Sequence, residues 1–422
     1  MSNQIEPRKS NRKNIIINGI CFLFIFSGYR SNQDIAQRVL KSYEIETENS
    51  TNPFTGVDGY KANSLVYLAF AIFTWITPII VDYFQPKKSM IIGGLTYAAI
   101  LACHIYPDNL VLILMSIVNG AGSAILWTAQ GAFVVLNSSE KDVIKNSAIF
   151  WTIFQMSYFF GNFYIYFAWS GVEQISSDQR IPLYIIFAGL AIVGCFGLLL
   201  TEEKSVEKDE NIKFSDIWAK VGQSFQMLKS KHMLLACITF GYTGFHFCFQ
   251  AMIYATCIAE TVTFGKDTDK LMGMNGIVTG LGQISAGLIL STTKILKSHQ
   301  VILLSLAATI CGITMIFYNF GSDCKNGQTF SKDSESIYLL SLVPAFLLGF
   351  SYSGINTQIY TFIRKYYPET PAPGFAIFKF IQSIFVASGF YWFSGLRLDS
   401  QCGLMFVFVV ISCLSFYRLL KD

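Results

Sequence analysis

Twelve long apolar stretches divide this 422-residue chain and restrict it to one broad class of fold. A helix that crosses a bilayer needs about 20 apolar residues, because each residue rises about 1.5 Å and the hydrocarbon layer is about 30 Å thick. Only 14% of the residues are charged, against roughly a quarter in soluble domains. The sequence therefore predicts an all-α membrane protein. Its predicted spans, numbered 1 to 12 in chain order, are Asn14–Leu40, Lys61–Phe84, Ser89–Tyr106, Asp108–Leu136, Asn146–Trp169, Ile181–Leu200, Met233–Thr261, Lys270–Lys294, Gln300–Phe320, Ile337–Ile363, Pro373–Phe393 and Cys402–Leu419.

The distribution of Lys and Arg between alternate loops predicts the orientation of these spans. Both termini and the loops on their side carry 20 of these residues, and the loops on the other side carry nine. Arg30 and Lys379 lie within spans. Basic residues are enriched in cytoplasmic loops, so both termini are predicted to be cytoplasmic. The composition does not distinguish a plasma membrane from an endolysosomal membrane.

A polar segment separates the spans into two groups of six. Residues 201–231 are rich in Glu, Lys and Asp, and we interpret them as a cytoplasmic linker. It joins an N-terminal bundle, residues 1–200, to a C-terminal bundle, residues 232–422. Apolar residues between Ile212 and Leu228 follow near-helical spacing, which is typical of a helix that lies on a membrane surface.

Matching residues in the two groups indicate an internal duplication. An offset of 228 residues aligns Gln130 with Gln358, and it aligns Ala148–Phe150 with Ala376–Phe378. Two neighbouring spans therefore repeat in register. We expect two related six-helix halves, an arrangement common among secondary transporters.

The sequence lacks the motifs of common catalytic and metal sites. Its four histidines lie in different segments, its cysteines form no CxxC pair, and no serine-hydrolase, zinc-protease or phosphate-loop motif is present. We therefore expect a protein that is not an enzyme and needs no cofactor or metal. The net charge of +4 is too small to indicate a nucleic-acid partner. Cys324 and Cys402 lie in predicted outer segments. The sequence is compatible with a disulfide between them and equally with two free thiols.

Polar side chains inside spans are the first candidates for function, because each costs a few kcal/mol in lipid unless it faces a partner or a water-filled cavity. In span 1, Arg30, Asp34 and Gln37 share one helix face, and Arg30 could pair with Asp34. Two interpretations are open for this face. It lines a central cavity, or it lies at an outer helix end whose charges reach the lipid headgroups.

Span 11 contributes a lysine, Lys379, with Gln382 nearly one turn further on. An ammonium group about two turns inside the membrane must pair, face water or extend along the helix to the surface. We favour a cavity role for Lys379 and retain extension to the cytoplasmic surface as the alternative.

Spans 4 and 10 carry polar residues at places related by the repeat. Asn119, Thr128 and Gln130 lie in span 4, and Asn356 and Gln358 lie in span 10. This pairing predicts two facing walls of one cavity. Hydrogen bonds between helices, with no contact to a substrate, explain the same residues equally well.

Weaker polar patterns occur in spans 5 and 7. Gln155 and Asn162 form a stripe in span 5, and His246 and Gln250 lie one turn apart in span 7. A histidine in a cavity could respond to pH, whereas a bonded structural histidine is the plainer interpretation.

Two loops carry further candidates. Asp82, Lys87 and Lys88 surround the turn after span 2, where an acid followed by basic residues can hold two helices in one state of a gate. Asn49 begins an Asn-Ser-Thr sequon in the first outer loop, and Asn137 begins another in a predicted inner loop. Only Asn49 is therefore expected to carry a glycan.

Several strings in spans 4, 5, 7 and 11 carry a family resemblance. They are Leu126–Gly131, Asn146–Trp151, Phe159–Asn162, Ile165–Trp169, Tyr242–Gly244 and Pro371–Phe380. Over almost its whole length the chain resembles the UNC-93-like family of the major facilitator superfamily, and most closely that family's domain-containing protein eleven branch. The resemblance implies twelve transmembrane helices in two six-helix halves around a central cavity.

The same resemblance implies two different functions. Founding members of the family resemble regulatory subunits of potassium channels, another branch escorts innate immune receptors, and this branch is described as transporters. Related sequences have Glu or Gln where His246 stands and Asn where Asp34 stands, so an acidic coupling site in span 7 does not carry over.

Two functional hypotheses follow. The first is a secondary transporter that moves a small solute by alternating access, and the basic side chains Arg30 and Lys379 favour an anion. The second is a non-transporting regulatory or trafficking subunit of a potassium channel or a membrane receptor. The lipid bilayer is a partner in both. The first adds a small-molecule solute, and the second adds a membrane protein.

Overall fold

The computed structural model describes residues 10–421 apart from 52, 58, 140–141, 169–174, 203–221, 223, 262–263, 265–267, 293–297, 321–333, 368–370 and 394–395. All regular secondary structure in these residues is helical. Of the predicted surface helix in the linker, only residues 222 and 224–228 are described, and they are helical. Cys324 lies outside the described residues.

The first six spans form the N-terminal half. The helix Thr77–Cys103 contains both the end of span 2 and the whole of span 3. It is kinked at Gln85, where φ is 67° and Pro86 follows. A proline there removes a backbone donor and cannot continue the preceding turn. The six spans are Arg12–Thr47, Gly59–Thr74 with the start of Thr77–Cys103, the remainder of Thr77–Cys103, Asn109–Leu136, Val143–Gln155 with Ser157–Ala168, and Ser177–Gly197 with the 3₁₀ turn Leu198–Leu200.

The other six spans form the C-terminal half. Span 7 contains a π-helical segment, Phe249–Tyr254, between two α-helical parts. The six spans are Lys231–Cys248 continued to Glu260, Thr268–Thr292, Ser298–Phe320, Ser334–Tyr366, Pro371–Trp392 and Leu398–Lys421.

All twelve predicted spans coincide with helices of the described residues. Eight of these helices are long and apolar enough to cross a membrane on their own, and the bent pair Lys61–Thr74 and Thr77–Cys103 would add a ninth. The bent pair is interrupted between Thr74 and Thr77, where its helices meet at 94°, and its second helix is kinked at Gln85. Span 5 is divided at Met156.

Side-chain caps fix where several spans begin. Asn11 accepts a hydrogen bond from the Asn14 amide at 3.2 Å, and Asp108 accepts one from the Val111 amide at 3.0 Å. Ser230 accepts one from the Met233 amide at 3.2 Å. Such caps satisfy backbone donors that a helix start leaves free. The Asn11 cap starts span 1 at Arg12, two residues before the predicted start at Asn14.

Span 1 also ends seven residues later than predicted, at Thr47 and not at Leu40. Arg180 of span 6 explains the extension. Its side chain is only 1% exposed and donates a hydrogen bond to Glu46 at 2.8 Å. The ion pair holds the last turns of span 1 against span 6 beyond the apolar stretch, where hydropathy gives no signal.

The ends of the spans define two sides. On the termini side, the Asn14 side chain donates hydrogen bonds to Asn137 at 2.8 Å and to the Glu202 carbonyl at 2.9 Å. On the opposite side lies the Glu46–Arg180 pair.

The two halves meet along spans 2 and 11 and along spans 5 and 8, and on the termini side span 4 approaches span 11. Gly131 of span 4 permits that approach, because a Cβ atom there would lie 2.8 Å from the Phe375 ring. Span 5 begins at Val143 and span 11 at Pro371. These two starts are 228 residues apart, the offset that aligns the same two spans in the sequence.

The remaining faces fit a lipid environment. Leu110, Phe196 and Leu414 are each at least 60% exposed, as expected where apolar side chains meet acyl chains. Cys257 is disulfide-bonded and Cys402 is a free thiol. The pairing of Cys324 with Cys402 that the sequence left open is therefore wrong.

Candidate functional site

A cavity of about 570 Å³, including space open to solvent, lies where the two halves meet. Span 1 contributes Arg30 and Gln33 to its wall, and span 11 contributes Lys379 and Gln382. Most of the remaining wall is aromatic. The rings belong to Phe26, Tyr29, Tyr67, Phe70, Tyr97, Trp127, Trp151, Phe247 and Tyr352.

Arg30 is only 6% exposed and lies near the middle of the long span 1 helix. Its guanidinium donates a hydrogen bond to the Tyr158 hydroxyl of span 5. The guanidinium carbon lies 4.5 Å from the centroid of the Tyr158 ring and 5.0 Å from that of Phe154. This placement contradicts the alternative in which Arg30 reaches the headgroups. The side chain of Asp34 lies outside the described residues.

Lys379 is 4% exposed, and its ammonium extends into the same cavity. It donates a hydrogen bond to Gln382 Oε1 at 2.8 Å and lies 4.8 Å from the Trp127 ring centroid. Gln382 in turn donates to Thr243 Oγ1 of span 7 at 3.1 Å. The side chain is therefore held inside the protein and does not extend along span 11 to the surface.

The described side chains that contact the two cations are neutral. Among the described side chains, neither Arg30 nor Lys379 forms an ion pair with a carboxylate; the pairs that do form lie near the ends of the spans. Aromatic faces and neutral oxygens stabilise a cation only partly when it is removed from water. Among the described residues that line it, the cavity thus combines two basic groups, one from each half, and no acidic group.

Tyrosine hydroxyls add hydrogen-bond donors. Tyr29 accepts a hydrogen bond from Asn119 Nδ2 at 3.2 Å, and Tyr67 accepts one from Gln33 Nε2 at 3.2 Å. A hydroxyl whose oxygen accepts an N–H keeps its own proton for another partner. Asn119 itself does not line the cavity. It holds the Tyr29 hydroxyl so that the hydroxyl proton is available to another partner.

The other polar candidates of spans 4 and 10 do not line the cavity. Gln130 Oε1 accepts a hydrogen bond from the Tyr360 hydroxyl at 2.8 Å, which joins the two halves on the termini side. Asn356 donates to the Tyr352 carbonyl at 2.7 Å, and Gln358 is buried. Thr128 shares a hydrogen bond with Thr77, at 3.1 Å between their hydroxyl oxygens.

A smaller pocket of about 400 Å³ lies between spans 5, 7 and 8. Gln250 lines it, together with Tyr158 and Asn275. Beside it, Asn162 donates to the Tyr158 carbonyl at 2.8 Å. Gln155 of span 5 is fully buried, and its amide has no hydrogen-bond partner among the described residues. Tyr158 connects this pocket to Arg30 in the central cavity.

His246 lies within the C-terminal half and does not line the central cavity. One ring nitrogen lies 3.1 Å from the Tyr242 hydroxyl and the other lies 3.1 Å from the Leu348 carbonyl. With both nitrogens engaged and no exposed surface, His246 matches the structural interpretation.

The loop candidates lie near the ends of the spans. Lys87 donates to the carbonyls of Leu199 and Thr201 at 2.8 and 2.7 Å, so it caps span 6 within its own half. Asp82 and Lys88 are exposed, as is Asn49 on the opposite side. Gln37 accepts a hydrogen bond from the Gly59 amide at 2.8 Å and links spans 1 and 2.

Sequence reasoning missed the aromatic residues that hold the cations, above all Trp127 and Tyr158. A chain with 38 Phe, 21 Tyr and 6 Trp offers no compositional contrast that would distinguish them. The internal repeat gives only a partial signal. It draws attention to span 4 through Gln130, and Trp127 lies in the same span, but the repeat does not single out Trp127 itself.

Comparison with known proteins identifies the family. A family model described as "Ion channel regulatory protein UNC-93" matches residues 51–417. Two frog proteins named UNC93-like protein MFSD11, from Xenopus laevis and Xenopus tropicalis, are 31% and 32% identical to this chain. Each comparison covers 98% of this chain and 97% of the relative. This chain belongs to the UNC-93 family.

A solved structure shows which fold this UNC-93 family member has. The crystal structure of the Escherichia coli fucose:proton symporter FucP covers 96% of this chain and 98% of its own, with a TM-score of 0.64. At 13% sequence identity the likeness concerns the fold alone. The chain thus has the major facilitator superfamily fold, with twelve transmembrane helices in two six-helix halves.

Proposed function

We propose that this UNC-93 family member is a secondary transporter that moves a small organic anion by alternating access. The observation that carries the proposal is the position of Arg30 and Lys379. One belongs to the N-terminal half and the other to the C-terminal half, and both line the same cavity.

Electrostatics supports an anion as the solute. Two cations near each other in a medium of low dielectric repel, and the neutral groups around them offset only part of their desolvation. An anion between them would reduce both costs. Because the cations lie on different halves, bound anion would also draw those halves together.

The contacts between the halves support alternating access. On the termini side, the Gln130–Tyr360 hydrogen bond and the packing of Phe375 against Gly131 close the space between spans 4, 10 and 11. A second state would open these contacts and close the opposite side. Lys87, with Asp82 and Lys88 around the same turn, belongs to the N-terminal half and would move with it.

Uptake into proteoliposomes tests the proposal. We expect the wild-type protein to accumulate at least one labelled organic anion from a broad panel, and Lys379→Gln to lose most of that uptake. Lys41→Gln, an exposed lysine of span 1, is the matched control and should retain it. If neither the wild type nor the control moved any anion, the transporter proposal would be wrong.

A second candidate function is regulation of a membrane protein. The matching family model describes ion channel regulation, so we also consider a regulatory or trafficking subunit of a potassium channel or a receptor. Capture in mild detergent should then recover a membrane protein in stoichiometric amount. Recovery of the chain alone, together with anion uptake, would favour transport.

A further inference from the structure

We infer that the anion bound between Arg30 and Lys379 is a carboxylate with an apolar, ring-sized body. This inference rests on the proposed function and makes it specific. It separates such acids from inorganic anions and from polyhydroxylated acids, which the same two cations could attract by charge alone.

The hydrogen-bonding groups of the wall favour a carboxylate. The hydroxyls of Tyr29 and Tyr67 already accept N–H groups, so each has a proton to donate. The amide oxygen of Gln382 already accepts a hydrogen bond from Lys379 at 2.8 Å. A carboxylate only accepts hydrogen bonds, and it therefore matches the two cations and the two tyrosine hydroxyls that line the cavity.

The same groups disfavour a polyhydroxylated ligand. Each ligand hydroxyl has a proton that needs an acceptor, and a buried polar group without a partner loses affinity. Gln382 Oε1 already accepts a hydrogen bond from Lys379, which leaves it one lone pair for a ligand hydroxyl. A sugar acid would place several hydroxyl groups against a wall that is mostly aromatic and offers few acceptors.

The aromatic wall favours an apolar body. Trp127, Trp151 and Phe247 face the cavity beside the cations, together with rings from spans 1, 2, 3 and 10. Apolar ligand surface gains free energy in proportion to the area removed from water. A phosphate or sulfate ion would lose its hydration against these rings and gain no such contact.

The two cations are placed for this kind of ligand. Lys379 Nζ lies 4.8 Å from the Trp127 centroid, and the Arg30 guanidinium lies 4.5 Å from that of Tyr158. Each charge thus borders a ring on one side and the cavity on the other. A ligand that carries its carboxylate on a short stem could reach a cation while its own ring packs on the aromatic wall.

Binding to the purified full-length protein, measured by tryptophan fluorescence, tests the inference. The probes are phenylacetate, indole-3-acetate, the neutral phenylacetamide, acetate, inorganic phosphate and glucuronate. We expect at least one ring-bearing acid to bind at least tenfold more tightly than acetate, phosphate or glucuronate. Phenylacetamide has the same ring without the charge, and it should bind at least tenfold more weakly than phenylacetate.

Variants separate the charge from the ring. Lys379→Gln should bring the dissociation constant of phenylacetate close to that of phenylacetamide. Phe247→Leu should weaken the ring-bearing acids severalfold and leave acetate unchanged. Trp127→Phe keeps a ring and should retain most affinity. Melting temperatures of the variants show whether each one remains folded.

The outcomes distinguish this inference from the proposed function. If acetate, phosphate or glucuronate bound as tightly as the ring-bearing acids, the inference would be overturned and anion transport would stand. If phenylacetamide matched phenylacetate, the role of the charge would be overturned. If no anion bound and none entered proteoliposomes, both the inference and the proposed function would be wrong.

Discussion

Arg30 and Lys379 lie among rings and neutral oxygens within the membrane-spanning part of the protein. A ring face contributes about 0.5–2 kcal/mol to a nearby cation, and a hydrogen bond to a charged group contributes about 1.5–3 kcal/mol. Removing an ion from water costs several kcal/mol even after relaxation. The neutral groups therefore hold the cations in place but leave room for an anion to add stability.

Tyr158 is the residue that positions Arg30, since both its hydroxyl and its ring contact the guanidinium. Tyr158→Phe keeps the ring and removes the hydrogen bond. We expect anion affinity to fall about tenfold, because about 1.4 kcal/mol corresponds to that factor. Tyr318→Phe, at an exposed position, is the control. Equal affinity in the two variants would show that the hydroxyl has no positioning role.

Individual residues could be predicted from the sequence where burial is expensive. Arg30 and Lys379 were identifiable because a charge inside a span requires a partner or a cavity. The state of His246 was not identifiable, because its partners Tyr242 and Leu348 are brought to it by helix packing. The same holds for Gln130, whose partner Tyr360 belongs to the other half.

Spans within the C-terminal half pack closely through glycines. A Cβ atom on Gly349 of span 10 would lie 2.2 Å from the Thr279 carbonyl oxygen of span 8. A Cβ atom on Gly282 would lie 2.1 Å from the Phe346 carbonyl oxygen. These contacts are with backbone atoms, which cannot rotate away, so the two helices would have to separate to admit a side chain.

Gly349→Ala should therefore destabilise the protein by about 1–3 kcal/mol, the usual cost of overpacking. Gly403→Ala is the matched control, since nothing lies within 4 Å of a Cβ atom there. That control should be neutral or stabilise by about 0.4–1 kcal/mol, because alanine restricts the unfolded chain. Thermal unfolding in detergent measures both, and equal melting temperatures would contradict the close approach.

On the opposite side, Glu46 and Arg180 join spans 1 and 6. Burial opposes ionisation of Glu46, but hydrogen bonds from Arg180 and Ser177 outweigh it and lower the Glu46 pKa below its usual 4.5. A carboxyl group whose pKa is lowered on folding stabilises the protein above its unfolded pKa. That stability is lost as the pH falls through the folded value.

Glu46→Gln should thus lower stability at pH 7. The Glu46 side chain is 35% exposed and that of Arg180 is 1% exposed, so the pair is half-buried. The loss of stability should therefore lie between about 1 kcal/mol, typical of exposed ion pairs, and about 3 kcal/mol, typical of buried ones. The difference from wild type should shrink below about pH 4.5. Glu44→Gln, at an exposed position, should behave like wild type at every pH. A difference that persisted unchanged at pH 3.5 would contradict this assignment.

Elements were predicted well where lipid dictates their composition, and less well where local contacts do. Hydropathy located every span, because lipid requires long apolar helices. It did not place the end of span 1 at Thr47, which depends on the Glu46–Arg180 pair. It also could not show the break at Met156 within span 5.

At the scale of the whole molecule, orientation in the membrane has its own test. Asn49 is exposed on the side opposite the termini, whereas Asn137 is 1% exposed and hydrogen-bonded to Asn14 on the termini side. We expect glycosidase treatment to shift the mass of the wild type and to leave Asn49→Gln unchanged. A glycan mapped to Asn137 would reverse the predicted orientation.

The central claim is that Arg30 and Lys379 form one anion site between the two halves. Thermal unfolding of the purified protein with increasing phenylacetate tests it most directly. A ligand at 100 times its dissociation constant stabilises the folded state by about 2.7 kcal/mol, so the wild-type melting temperature should rise with concentration, as should that of Lys41→Gln. Arg30→Gln and Lys379→Gln should each lose most of that rise. An equal rise in all four proteins would contradict the claim.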